Sequence, residues 1–317
     1  MHKTKIVMLD DWENFFTSNI DCSTFGDTID FKVYQQTLMD DKLYAAIAEA
    51  EVIILLRERT AVNQHFIDHA PHLKHIICTG NQVRNLDSEA VEKAGISISF
   101  AKGGDSKSST CELAWTLILA SFKQLDKLRV GPAQPLWRQY ADKQPAFIPP
   151  TLRGKQLGII GLGSIGQKVA TVAKAFGMNV VCWSPNMTLE RAAEHGVEAV
   201  SLESLLSNSD VISIHLVLSE TTRHILNAQH LSLLKRNAIL VNTSRAELIN
   251  TEALLTTLKE NMIFYATDVF EIEPLPSDHP FYSLDNVLMS AHFGFVAQEV
   301  YQLFAENISK ELKTYLS

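Results

Sequence analysis

Six consecutive residues, Gly161-Leu162-Gly163-Ser164-Ile165-Gly166, constrain this chain more than any other segment. They follow an apolar run that ends at Ile160 and precede a helical pattern from Ile165 to Phe176, which Gly177 closes. In such a turn the first glycine permits the tight reversal and the second lets a pyrophosphate approach the backbone. The third allows helix and strand to pack closely. Phosphates then sit at the helix N-terminus, where unpaired N–H groups and the helix dipole favour negative charge. A glycine-rich turn alone says little; between a strand and a helix it predicts dinucleotide binding.

The rest of the chain repeats the same rhythm. Short apolar runs occur at Ile6–Leu9, Val52–Leu56, Leu73–Cys78, Ile96–Phe100, Leu157–Ile160, Val180–Trp183, Val211–Leu216, Ile239–Asn242, Ile263–Val269 and Val287–Ser290. Several are apolar on both faces, as buried parallel strands require. Helical patterns such as Leu43–Ala50, Glu89–Lys93 and Glu252–Leu258 separate them. The predicted class is α/β, with two doubly wound Rossmann-like domains and a cleft between them. A length of 317 residues also favours two cores over one. The rhythm breaks at the polar stretch Ala101–Ser109, followed by a long apolar helix, roughly Thr110 to Leu128, and a proline-rich segment from Pro132 to Pro150. Glu299–Leu316 reads as an amphipathic helix returning to the first domain. The expected division is 1–101 plus 295–317 as a flavodoxin-like substrate-binding domain, and 102–294 as the dinucleotide-binding domain.

Charge and cysteine content narrow the function. With 28 basic against 36 acidic residues and no basic block, nothing favours nucleic acid or an anionic membrane. The apolar runs are too short to span a bilayer. The four cysteines (Cys22, Cys78, Cys111, Cys182) lack CxxC or zinc-ligand spacing, and Cys78 and Cys182 read as small buried hydrophobes. A cytoplasmic, reduced, metal-free protein is expected.

The strand after the glycine turn should end in an acid that holds the adenine-side ribose. It reads Asn179-Val-Val-Cys-Trp183-Ser184-Pro185-Asn186, without a carboxylate. A 2′-phosphate would meet no repulsion at Ser184, yet no arginine follows directly to neutralise one. Arg191 is the nearest, and reads as a solvated helix residue. The cofactor is NAD or NADP, with a slight balance towards NAD.

Three further segments end strands: Val241-Asn242-Thr243-Ser244-Arg245, Asp268-Val269-Phe270-Glu271-Ile272-Glu273-Pro274 and Ser290-Ala291-His292-Phe293-Gly294. Parallel sheets place ligands at such carboxyl ends. Together with the glycine turn, Ser213–Asn227 and Gly80–Asp87, they make the chain resemble the D-isomer-specific 2-hydroxyacid dehydrogenase family, which includes phosphoglycerate dehydrogenases and hydroxypyruvate reductases. The resemblance covers nearly the whole chain. It implies an oxidoreductase that transfers a hydride between NAD(P)H and a small 2-keto acid, giving a D-2-hydroxy acid reversibly. Arg245 would bind carboxylate and carbonyl, because its fork engages a carboxylate bidentately and keeps its charge. His292 would be the general acid/base, and Glu273 would orient it through the other ring nitrogen. A formate dehydrogenase of this family would carry glutamine in place of Glu273. The implied cofactor-binding set is Gly161, Gly163, Ser164, Ile165, Gly166, Ser184, Thr110, Thr243 and Asp268. Asp268 matches the family's aspartate beside the nicotinamide carboxamide.

On the substrate side the resemblance implies Thr79, Gly80 and Asn81, which would offer backbone N–H groups to a carboxylate, together with Arg245. Leu56-Arg57-Glu58-Arg59-Thr60 is similar to a cleft-facing stretch, so Arg57 or Arg59 could meet a second anionic group; the plainer alternative is a solvated helix start paired with Glu58. Val217, Ala246, Ala291 and Phe295 depart from the usual pattern and leave the arginine–glutamate–histidine set intact. The resemblance also implies a homodimer paired through about Thr110 to Pro150. The competing reading from another class is a redox-sensing regulator, like transcriptional corepressors that share this fold and triad.

Overall fold

The computed structural model describes residues 2–80, 85–125, 148–260 and 262–317. Two compact units divide the chain, 1–106 with 296–317, and 107–295. The first holds five strands, β1 (Thr4–Leu9), β2 (Ile29–Val33), β3 (Val52–Leu55), β4 (His75–Thr79) and β5 (Ser97–Ala101), in the order β2-β1-β3-β4-β5. All their pairings are parallel. This 2-1-3-4-5 order is the flavodoxin-like one. The strands β3 and β4 are buried along their whole length, which explains the apolar runs Val52–Leu55 and Ile76–Cys78.

The second unit holds β6 (Gln156–Ile160), β7 (Asn179–Trp183), β8 (Glu198–Ala199), β9 (Val211–Ile214), β10 (Ile239–Asn242), β11 (Phe264–Thr267) and β12 (Val287–Met289). Their order is β12-β11-β10-β9-β6-β7-β8, again all parallel. The chain reverses direction across the sheet between β6 and β9, the switch point where doubly wound folds bind ligands. Successive residues feed opposite cores: Ile159, Cys182, Val211 and Val241 pack on one face, Ile160, Val181, Ile212 and Leu240 on the other. Two apolar layers therefore clamp the sheet, and the strand ends are held in register for the loops they carry.

The sequence reading missed β2 and β8. The burial of β2 alternates along Ile29-Asp-Phe-Lys-Val33, because it is an edge strand, and a search for unbroken apolar runs passes over it. β8 has only two residues. The apolar helix spans Ser106–Lys123, starting four residues before the expected Thr110. The carboxyl-terminal helix Gln298–Leu316 turns Val300, Tyr301, Phe304, Ile308 and Leu312 inwards, and within the first unit it packs against β4 and β5.

Cys78, Cys111 and Cys182 are free and buried, and burial pushes the Cys78 and Cys182 thiols up to about 12 and about 11. These are inert, space-filling side chains. Among the described residues no helix is long and apolar enough to cross a membrane, and no group of three histidine, cysteine, aspartate or glutamate residues could hold a metal ion.

Candidate active site

The glycine turn lies where β6 meets the helix Ser164–Ala175, at the switch point. Gly161 has φ +99°, and a Cβ there would come within 2.7 Å of the His215 carbonyl group. A Cβ on Gly166 would collide with the Gly161 carbonyl oxygen. Around Gly163, by contrast, a Cβ would meet nothing within 4 Å. Two glycines are thus required by the protein's own packing, and the middle one faces open space at the helix N-terminus. Ser164 and Ile165 form that first turn.

The loop after β10 is braced by a fully buried asparagine. Asn242 Nδ2 donates to the Arg245 carbonyl (2.9 Å), and its Oδ1 accepts from the Ser244 N–H (3.0 Å). Arg245 itself begins a short 3-10 turn (Ala246–Leu248), and its Nη1 donates to the Ser244 carbonyl at 2.7 Å. Nothing in the sequence reading singled out Asn242; a buried amide in an otherwise apolar strand was the available signal.

After β11 and β12 the remaining groups come together. Glu273 Oε2 lies 2.9 Å from His292 Nδ1, while its Oε1 accepts from the Phe270 N–H at 3.0 Å. Burial pushes the Glu273 carboxyl up, but the hydrogen bond and charge of His292, the Phe270 N–H and the Arg245 charge outweigh it. Its pKa is therefore held below the usual carboxylate value. A carboxylate on Nδ1 leaves Nε2 as the nitrogen available for proton exchange. The Phe295 ring stands edge-on to His292, with centroids 5.9 Å apart.

Asp268 is fully buried; its Oδ2 accepts from the Gly294 N–H (2.9 Å), and Thr110 Oγ1 donates to the Gly294 carbonyl (2.7 Å). Desolvation raises the Asp268 pKa despite the nearby His292 charge and the Gly294 N–H. Asp268 Oδ1 and Thr243 Oγ1 are buried without a hydrogen-bond partner among the described residues. Orphaned polar atoms of this kind are costly unless a ligand satisfies them. A nicotinamide dinucleotide fits these observations: an open Gly163 at a helix N-terminus, and two buried polar atoms left for a ligand to satisfy. A bound dinucleotide of this type supplies or accepts the hydride.

Ser184 follows β7 directly, and the Arg191 guanidinium bends back to donate to the Asn186 carbonyl at 2.6 Å. Arg191 is exposed, yet tied to the loop rather than freely solvated.

His215 was not among the expected site residues. Its Nε2 lies 2.8 Å from Ser213 Oγ, its Nδ1 is buried without a partner among the described residues, and desolvation pushes its pKa down to about 4. The unfolded chain takes up this proton near 6.5, whereas the folded chain resists it down to about 4. The stability contribution is complete above about pH 6.5 and is lost as pH falls towards 4, amounting to about 3 kcal/mol at most. Urea unfolding between pH 7.5 and 4.5 should show the gap between the parent protein and His215→Gln changing with this sign. A gap independent of pH would refute the assignment.

In the first unit, the Arg57 N–H donates to Thr79 Oγ1 at 2.8 Å, and Arg57 has a positive φ of 58°. Gly80 has φ +94°, and a Cβ there would run into the Arg57 guanidinium. The structure therefore brings Arg57, Thr79 and Gly80 together; Asn81 lies outside the described residues. Arg59 behaves differently. Its guanidinium makes a bidentate pair with Glu13 at 2.8 and 2.6 Å and bonds the Tyr301 hydroxyl at 3.2 Å, with its side chain 8% exposed. No helix begins here, since the next one starts at Gln64. A buried arginine finds the carboxylate that gives two hydrogen bonds, and that acid lies far off in sequence.

Residues 115–294 match the family model described as D-isomer specific 2-hydroxyacid dehydrogenase, NAD binding domain. The chain is 36% identical over 281 residues to a D-3-phosphoglycerate dehydrogenase of Methanocaldococcus jannaschii, covering 88% of this chain and 52% of that protein. It therefore spans about half the length of that relative. Against a hydroxypyruvate reductase of Thermotoga maritima it is 34% identical over 291 residues, covering 89% of this chain and 92% of the relative. Among solved structures, a phosphoglycerate oxidoreductase of Vibrio cholerae superposes with a TM-score of 0.88 at 32% identity, covering 100% of this chain and 99% of that one.

Proposed function

This chain belongs to the D-isomer specific 2-hydroxyacid dehydrogenase family, and from that premise we propose that it reduces a small 2-keto acid to a D-2-hydroxy acid, reversibly, with NADH or NADPH. The observation that carries this reading is the His292–Glu273 hydrogen bond of 2.9 Å, with the Arg245 charge acting on the same carboxylate, in the unit that bears the glycine turn. Arg245 holds the substrate carboxylate and polarises the carbonyl. His292 delivers a proton to the carbonyl oxygen from Nε2 during reduction and withdraws it during oxidation. Glu273 keeps the ring in that orientation and stabilises its cationic form. Gly161, Gly163, Ser164, Ile165 and Gly166 cradle the pyrophosphate, Asp268 and Thr243 take the nicotinamide end, Thr110 braces the Gly294 backbone beside it, and Ser184 meets the adenine-side ribose. A homodimer paired through the segment around 110–150 belongs to the same reading, as does a cytoplasmic location; residues 126–147 of that segment lie outside the described ones.

The deciding measurement is nicotinamide absorbance with purified protein, both cofactors and a panel including glyoxylate, hydroxypyruvate, pyruvate and 3-phosphohydroxypyruvate. Turnover on at least one supports the proposal. Tight dinucleotide binding with no turnover on any of them would favour the redox-sensing regulator instead.

Arg57 and the Thr79-Gly80 turn form the substrate-side group of the first unit. Arg57 answers a second anionic group on the substrate. Arg57→Ala should raise KM for a phosphorylated or dicarboxylic keto acid about tenfold or more, and change glyoxylate much less, since a hydrogen bond to a charged group contributes about 1.5–3 kcal/mol. Equal losses on both substrates would sink this assignment.

A further inference from the structure

Behind the segments that carry Arg245 and Glu273 lies a small open pocket with an enclosed volume of about 90 Å³, room for a compact group rather than a large ligand. Buried Leu254, Tyr265 and Phe281 line it on the inside, with Phe270, Glu271 and His279 completing the set that matters here. The rings are mutually packed: Tyr265 and Phe281 have centroids 5.7 Å apart, and His279 meets Phe281 edge-on at 4.5 Å. Among the described residues that line it, Glu271 is the one carboxylate and none is a lysine or arginine. Thr251 Oγ1 donates to Glu271 Oε1 at 2.7 Å and anchors the carboxylate there. A carboxylate has about four lone-pair sites, so that bond leaves acceptor capacity for a ligand.

Aromatic faces beside a single anion form the environment that recognises an organic cation, through ring quadrupoles and charge pairing together. We propose that this pocket binds a small organic ammonium with an apolar body, at a site separate from the dinucleotide and the keto acid. Its walls make it a control point. Ala246, directly after Arg245, lines it, and so does Phe270, whose N–H is bonded to Glu273 Oε1. An occupant touches both segments and changes the rate through the Arg245 and Glu273 positions. The effect on rate rests on the catalytic reading above; the binding does not.

The test uses the full chain saturated with NADH, benzyltrimethylammonium as probe and benzyl alcohol as its uncharged counterpart, followed by ligand-observed NMR titration. Saturable binding of the cation is expected, about tenfold tighter than the alcohol, with Glu271→Gln removing most of that difference. In steady state the cation should alter kcat and leave KM for the keto acid nearly constant. No saturation up to about 20 mM, binding indifferent to Glu271→Gln, or displacement of the probe by raising NADH would each overturn the site. A protein without turnover would still give the NMR result, so failure of the catalytic reading and failure of this one remain distinguishable. If Glu271→Gln loses its fold, Thr251→Val, which removes only the carboxylate's anchor, should weaken cation binding in the same direction.

Discussion

His292→Ala is expected to lower kcat for keto-acid reduction by about 10³-fold, within the range that a positioned acid/base contributes. The dinucleotide dissociation constant should change by no more than about twofold, because the imidazole is bonded to Glu273 rather than to the glycine turn. Glu273→Gln should fall between the two. Glutamine retains a hydrogen-bonding group near Nδ1 but removes the carboxylate charge beside the ring. Stopped-flow absorbance with a saturating substrate separates these steps. A kcat for His292→Ala within about tenfold of the parent protein would remove His292 from the proton transfer, and the Arg245–Glu273–His292 reading with it.

The second large effect concerns the turn itself. Gly166→Ala places a methyl group against the Gly161 carbonyl oxygen and 3.1 Å from Ile159 Cγ2. Both neighbours belong to the strand–turn segment, so relief requires the helix Ser164–Ala175 to move off the sheet. Overpacking of this kind costs about 1–3 kcal/mol. Dinucleotide affinity should fall at least tenfold, or about 1.4 kcal/mol, because the helix N-terminus moves with its axis. Gly163→Ala separates the two roles. A Cβ there meets nothing within 4 Å and the residue has an ordinary φ of −82°, so stability should hold while dinucleotide affinity drops. Thermal unfolding and fluorescence titration with NADH measure both. An unchanged midpoint for Gly166→Ala, or equal destabilisation by the two variants, would contradict the assigned roles.

The contrast between these glycines shows how far sequence alone could reach. Spacing marked all three, but only the structure distinguishes those that the fold needs from the one that stands open. The same holds for the two arginines after β3. Arg57 and Arg59 occupy equivalent-looking places in a polar stretch, and either could have met a substrate. Arg59 is taken by Glu13 and Tyr301, partners 46 and 242 residues away in sequence. Pairing over such separations leaves no local pattern to read.

By itself the sequence determined the alternation of buried parallel strands and helices and the glycine turn between strand and helix, and it supplied the residue types on which the proposed keto-acid chemistry rests. These follow from local periodicity and from chemistry confined to a few adjacent residues. Tertiary structure alone decided the edge strand β2, the brace from Asn242, the desolvation of the His215 ring and the pocket behind the Glu273 loop. Each depends on what a side chain meets across the sheet, and desolvation and packing are set by those neighbours rather than by position in the chain.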